Sequence, residues 1–213
     1  MRIDFFFDPG CPWCWLTSRW IEEVAPHRAL DVRWRSFSLL MQNADHLTNS
    51  SRIAMTPTHA MLRVVEAARQ ESGEQAAGDL YTRFGVLLHL DEIRAAEVDI
   101  AAVVVSAGLP ARLAEAATDQ SWDAVIRASM DEGLRSVGSL EAQVGTPIVT
   151  FDGKQGYFGP VMTPAPHGED ALRLFDALAS MAGIDGFYEL KRGRERGPQF
   201  APRPPVPATR PAG

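Results

Sequence analysis

Cys11-Pro12-Trp13-Cys14 is the segment of this chain whose residue types and spacing most directly imply a reaction. The chain has 2 cysteines, and both are here. Two thiols at this spacing share one face of a helix's first turn. A sulfur at a helix start meets unpaired backbone N–H groups and the positive end of the helix dipole, and both favour the thiolate. In pairs of this kind the thiol pKa falls from about 8.5 into the range of roughly 3.5–7.5, and the thiolate is the attacking species. Cys11, nearer the start, is therefore expected to be the nucleophile. Cys14, one turn inside and more buried, is expected to resolve a mixed disulfide on Cys11. Pro12 removes a competing N–H and stiffens the turn. Trp13 offers a flat apolar surface to a substrate, although the same ring would serve equally well as core. Trp15 and Trp20 read as core.

A metal site is the competing use of paired cysteines. Zinc normally takes four ligands, the chain has no second pair, and His27, His46, His59, His89 and His167 have no ligand spacing. No metal is expected, and the histidines read as surface or cap residues. A second group of interest is Val144-Gly145-Thr146-Pro147, just before a strand. A cis Thr146–Pro147 bond facing the sulfurs would leave the Thr146 backbone free to pair with an extended thiol peptide, as in strand addition. An ordinary strand-entry proline is the alternative. Thr146 and Pro147 join Pro12 and Trp13 as candidate substrate contacts. Arg19, two turns along from Cys11, could meet a carboxylate of a thiol cofactor, and a plain solvated or salt-bridged arginine fits the sequence as well.

The elements that must position these groups follow from periodicity and turn residues. Ile3 to Phe7 reads as a buried strand and Asp8-Pro9-Gly10 as a turn. A helix opens near Cys11 or Pro12 and is expected to end at Pro26. Leu30 to Leu39 alternates apolar and polar residues as a second strand, which completes a βαβ unit. Met41 to Ser51 reads as a polar loop. Helical periods run from about Thr58 to Arg135 and include a helix over Ile93 to Ala107 stopped by Gly108, with shorter helices near Ala111 to Ala117 and Ser121 to Arg135. Strand character returns at Ile148 to Phe151. Asp152-Gly153 is a hairpin signal, Gln155 to Phe158 is the returning arm, and His167 or Gly168 opens a last amphipathic helix. Phe187 to Leu190 is expected to pack back on the body.

The order β-α-β, helices, β-β-α is an α/β, thioredoxin-like fold with an all-helical insertion. Its expected parts are residues 1–45 and 141–190 for the two halves, 46–140 for the insertion, and 191–213 for a mobile tail rich in Arg and Pro. The 213 residues, 46% hydrophobic and 23% charged, suffice for such a core. A net charge of -6 argues against nucleic acid as a partner. No run of about eighteen apolar residues exists to span a membrane. The first apolar run is too short for a signal peptide and is flanked by acidic residues, so a cytoplasmic location is expected. There a Cys pair is more often catalytic than a structural staple.

The ordered motifs resemble the DsbA-like branch of the thioredoxin superfamily. Phe7-Asp8-Pro9-Gly10-Cys11-Pro12-Trp13-Cys14-Trp15-Leu16-Thr17-Ser18-Arg19-Trp20 is similar to the mycothiol-dependent nitroreductase family within it. So are Val144-Gly145-Thr146-Pro147, Phe158-Gly159-Pro160-Val161 and Phe187-Tyr188-Glu189-Leu190-Lys191-Arg192. The resemblance runs from the first strand to about Phe200, closely at the ends and loosely in the insertion. It implies a reductase of disulfides or nitro-aromatic compounds. In that family pattern Cys11 is the mycothiol-reactive sulfur and Cys14 its partner, with no tightly bound cofactor. Mycothiol or another small thiol is then co-substrate, with a reducing redoxin as a further donor. Isomerases and glutathione transferases of the same fold are also similar, but usually carry Ser where this chain has Cys11. A different class of reading is a binding module in which the disulfide switches the helical insertion.

Overall fold

The computed structural model describes residues 1–138, 144–153 and 155–203. The expected junction at 140/141 and the tail beyond residue 203 lie outside the described residues. Strand β1 (Arg2–Phe7) is followed by helix α1 (Pro12–Arg28) and strand β2 (Asp31–Ser36). β1 and β2 are parallel, with Phe5 opposite Trp34, and α1 supplies the crossover that a parallel pair needs. Helices α2 (Leu39–Gln42), α3 (Asn49–Ser72), α4 (Glu74–Gly85), α5 (Ile100–Ser106) and α6 (Trp122–Ser136) come next. The chain then returns to the sheet as β3 (Ile148–Phe151) and β4 (Gly156–Phe158) and ends its regular structure in α7 (Glu169–Met181). The strand order is β2-β1-β3-β4, with β3 antiparallel to both of its neighbours. This is the expected α/β, thioredoxin-like arrangement with helices set between its two halves.

β1 is central and reads Ile3-Asp4-Phe5-Phe6-Phe7, all buried. Its alternation sends Phe5 and Phe7 to one face. There they meet Trp34 and Tyr81, with the Phe7 and Tyr81 ring centroids 4.0 Å apart. Phe6 points the other way, to Gly133 of α6, where an added Cβ would stand 2.9 Å from its ring. α1 is tied to α7 by the Trp20 indole N–H, which donates to the Ala171 carbonyl at 2.9 Å. In the β3–β4 connection Asp152 and Gly153 both have positive φ, 53° and 66°, as hairpin turns favour.

Several boundaries differ from the sequence reading. α1 does not end at Pro26. A proline removes its own N–H and crowds the carbonyl four residues back, yet the helix continues until Ala29, whose left-handed φ of 49° turns the chain while its N–H still reaches the Ala25 carbonyl. α3 begins nine residues before Thr58, because Thr48 caps it by accepting the Ser51 N–H at 3.2 Å. It passes through Pro57, beside which the Thr56 and Thr58 hydroxyls bond back to the Arg52 and Met55 carbonyls. The expected helix over Ile93–Ala107 is shorter. Glu92 takes a positive φ of 55°, a single 3-10 turn spans Ala95–Glu97, and α5 starts only where the Asp99 carboxylate accepts the Ala102 N–H. Ala111–Thr118 is likewise 3-10. Of the segment expected to pack back, Phe187 does so against Tyr157, whereas Tyr188 and Leu190 are 77% and 83% exposed. Within residues 191–203, most of them exposed, Gly197 and Gln199 are both bonded to the Thr163 hydroxyl.

α4 packs on α1 without a side chain at Gly85. A Cβ there would fall 2.3 Å from two ring atoms of the buried Trp15. Gly85→Ala is expected to destabilise the fold by about 1–3 kcal/mol, the usual cost of overpacking a core. The check is a fall in the denaturation midpoint with an unchanged m-value.

Candidate active site

The site begins at a turn fixed by a buried carboxylate. Asp8 ends β1 with both oxygens engaged. Oδ1 accepts the Gly10 N–H and Oδ2 the Leu39 N–H, each at 2.8 Å. Its carbonyl accepts the Cys11 N–H at 3.0 Å. Burial pushes its carboxyl up to about 6, against the pull of these N–H groups and the Thr58 side chain. On the other side of the turn, His89 lies 2.9 Å through Nε2 from the Pro9 carbonyl. Burial lowers His89 to about 4, so at neutral pH it is an uncharged imidazole donating from Nε2. His89 comes from a π-helical turn, Val86–Leu90, that continues α4.

With the turn so held, Cys11 is the N-cap of α1 and Pro12 its first residue. The Cys14 N–H donates to the Cys11 sulfur at 3.4 Å, and that sulfur lies 3.7 Å from the Thr146 carbonyl oxygen. Cys11 is 5% exposed and Cys14 fully buried. The two thiols are driven apart. The Cys14 S–H, then the Cys14 N–H and the Thr146 side chain, lower Cys11 below an ordinary thiol, against its burial and the Asp8 charge. Cys14 is raised well above the ordinary value, first by burial and then by its hydrogen bond to Cys11 and the charge there.

Thr146 and Pro147 arrive from the far half of the chain. The Thr146–Pro147 bond is cis, and both residues are buried beside Cys11. The Gly159 N–H donates to the Pro147 carbonyl at 2.8 Å, and the Thr17 hydroxyl of α1 donates to the Pro160 carbonyl at 2.7 Å. The loop after β4 is thus pinned to both halves. Pro12 and Trp13 are partly exposed at the rim, and the Arg194 guanidinium lies 4.8 Å from the Trp13 ring centre. Trp15 and Trp20 are core, as expected. Arg19 stands apart from the sulfurs. Its guanidinium lies over Trp15 at 4.3 Å and donates to the Ser18 and Thr82 hydroxyls at 3.2 Å each. Among the described residues it has no carboxylate within ion-pair distance. It lines a cavity of about 630 Å³ beside α1, together with Trp15, Glu22, Thr82 and His167. Neither cysteine lines that cavity.

Sequence reasoning treated Asp8 as a turn residue and the histidines as surface groups. Asp8 carried a readable signal, since it is a carboxylate directly after the apolar run Phe5-Phe6-Phe7. His59 is 4% exposed and joins Ser38, the cap of α2, to Asp123 of α6 at 2.8 and 3.0 Å. Its burial lowers its pKa. His89 and His59 gave no signal in the sequence because their partners are far along the chain. No three His, Cys, Asp or Glu side chains among the described residues are grouped to hold a metal ion. Among the same residues no helix is long and apolar enough to cross a membrane.

Comparison with known proteins places this geometry in a family. Over residues 10–192 the chain matches the family described as Rv2466c-like, mycothiol-dependent nitroreductase Rv2466c. It is 30% identical over 199 residues to the uncharacterized protein Rv2286c of Mycobacterium tuberculosis, covering 89% of this chain and 81% of that one. Solved structures of similar fold include the cytosolic disulfide reductase DsbM of Pseudomonas aeruginosa with GSH (TM-score 0.57, 18% identity, 84% of this chain and 100% of that one). The probable DsbA oxidoreductase SCO1869 of Streptomyces coelicolor is another (TM-score 0.57, 20% identity, 92% of this chain and 94% of that one). With its cysteines at the first turn of α1 and its proline loop opposite, the chain belongs to the Rv2466c-like family of mycothiol-dependent nitroreductases, oxidoreductases with a DsbA-like thioredoxin fold.

Proposed function

We propose that this chain is a thiol-dependent reductase in which Cys11 is the nucleophile and Cys14 the resolving thiol. The carrying observation is the Cys11 sulfur at the N-cap of α1, receiving the Cys14 N–H at 3.4 Å. The Cys11 thiolate attacks one sulfur of a disulfide. A Cys11–S–S–R bond forms, and the other half leaves as a thiolate. Cys14 then attacks the Cys11 sulfur, releases the second thiol and leaves a Cys11–Cys14 disulfide. Two molecules of a small thiol, mycothiol by family, return the pair to the dithiol and leave as their own disulfide. A nitro-aromatic compound is the other acceptor that family membership supports. Two electrons and two protons take its nitro group to nitroso and water. A reducing redoxin would serve as an alternative electron donor. The chemistry suits a compartment that keeps thiols reduced, such as the cytoplasm.

The opposed shifts at the two sulfurs time this sequence. While Cys11 is an anion, its charge and hydrogen bond help hold Cys14 protonated. Once Cys11 is tied up in a mixed disulfide, that charge is gone and the barrier to ionising Cys14 falls. Capture of substrate thus prepares the resolving step. Pro12, Trp13 and the Thr146–Pro147 edge frame the place where the substrate sulfur would sit, and we assign them to substrate contact. Arg19, away from the sulfurs and, among the described residues, with no carboxylate within ion-pair distance, is assigned to the polar part of a bound small thiol.

Cys11→Ser is expected to abolish thiol-dependent turnover. Cys14→Ser should instead stop at a covalent adduct on Cys11, visible as a mass increase that dithiothreitol reverses. Turnover undiminished in Cys11→Ser would refute the mechanism.

The alkylation rate of Cys11 is expected to rise with pH through a midpoint below that of a free thiol. Because the Asp8 charge opposes the thiolate, Asp8→Asn should move that midpoint to lower pH. Iodoacetamide labelling of both proteins from pH 4 to 9 measures it, and an upward shift would contradict the assigned electrostatics.

A further inference from the structure

The family match ends at residue 192, yet the chain beyond it crosses the face of the molecule that carries the site. Arg194 lies over Trp13. The Thr163 hydroxyl donates to the Gly197 carbonyl at 3.1 Å and accepts the Gln199 N–H at 2.8 Å, which fastens the segment to the loop after β4. Phe200 stacks near His89, ring centres 5.7 Å apart, and His89 in turn holds the Pro9 carbonyl of the active-site turn. Arg203 pairs with Asp91. Ala201, Pro202 and Arg203 then complete the wall of the cavity that Arg19 and Trp15 line. These anchors run from the rim of the Cys-Pro-Trp-Cys turn to the cavity beside α1.

We propose that residues 194–203 form a strap that determines substrate class, admitting small-molecule disulfides and excluding folded protein disulfides. This rests on the redox reading above and deepens it. A protein disulfide must bring an extended segment and the surface around it up to Cys11. With Cys11 only 5% exposed and the Arg194 guanidinium over one face of the partly exposed Trp13 ring, that approach is narrowed. A small disulfide needs only a gap at the sulfur. Its polar remainder has a neighbouring cavity of about 630 Å³, within the size range of small-molecule sites. The strap completes that cavity by closing the surface around it. The anchoring contacts are a cation over a ring, an aromatic pair, a hydroxyl bridge and a surface ion pair, each individually weak, so substitution can release them without disturbing the core.

The test uses the full chain with Arg194→Ala and Phe200→Ala together, and separately Thr163→Ala. Pre-reduced protein is mixed with bis(2-hydroxyethyl) disulfide or with insulin, without any reductant. Oxidation of the pair is followed by mass spectrometry. The strap requires insulin to oxidise the double variant about tenfold faster than the wild type, while the small disulfide gains no rate. Equal changes for both substrates, or none for either, would overturn it. Cys11→Ser in the wild-type background reports on the underlying reading. If oxidation persists there, or if neither disulfide oxidises the wild type, the redox assignment has failed. The strap is then judged on labelling of Cys11 by iodoacetamide against a maleimide on a long polyethylene glycol. A variant that gains nothing with the bulky reagent sinks the strap on its own.

Discussion

A carboxylate buried at the end of the central strand ties the two arms of the βαβ unit together. Asp8 holds Gly10 with one oxygen, Leu39 with the other and Cys11 with its carbonyl. These three N–H groups belong to the active-site turn, to α2 after β2 and to the cap of α1. No neutral side chain of that length offers two acceptor oxygens at once. The charge is costly there. A carboxyl pushed up to about 6 from 3.8 has a penalty on the order of 3 kcal/mol when ionised. The sign follows from the shift: the penalty is absent below pH 3.8 and fully present above about 6, so this group favours the fold less as pH rises through that interval. The geometry it imposes is what puts a sulfur, rather than a backbone carbonyl or a solvated side chain, at the start of α1.

From that placement the electrostatics of the pair follow without a metal or a neighbouring cation. The first turn of α1 has no acidic residue, and its unpaired N–H groups face the Cys11 sulfur. The nearest negative group, Asp8, opposes the thiolate, so the helix start and the Cys14 thiol must outweigh it. Cys14 sits in the core, where burial alone would silence it. Its response to the state of Cys11 couples two residues that differ mainly in depth by one helical turn. The second half of the fold contributes through Thr146 and through the loop pinned by Thr17, which brings sequence-distant backbone against the same sulfur.

Much of this arrangement could be read from residue patterns, for local reasons. β1 is rich in aromatic residues, β3 follows directly on a proline, and the Cys-x-x-Cys helix starts where proline favours a first turn. Strands and helices set by period and punctuation therefore came out in the right order. The errors share a cause. Pro26 was read as a break and the helix of α3 was started only at Thr58, after Pro57, but later N–H groups and threonine hydroxyls keep both helices intact. Ile93 to Ala107 has helical composition throughout, and its first part is lost to a positive φ at Glu92 that no apolar pattern encodes. His59, His89 and the path of residues 194–203 depend on partners scattered along the chain, beyond the reach of any window of neighbours. Asp8 lay between the two cases, visible as a residue but not as the organiser of the turn.

The sheet's two borders also limit how this molecule can associate with copies of itself. On one side β4 offers three residues before Gly159 and Pro160 end it, and proline has no N–H to offer a neighbour. On the other, β2 carries Asp31, Arg33 and Arg35 along its length, and Arg35 is already engaged with Glu132 of α6. An incoming strand would find a template too brief on one side and studded with charge on the other. The aromatic-rich centre, which would be sticky if bared, is therefore flanked by margins that discourage ribbon growth between copies.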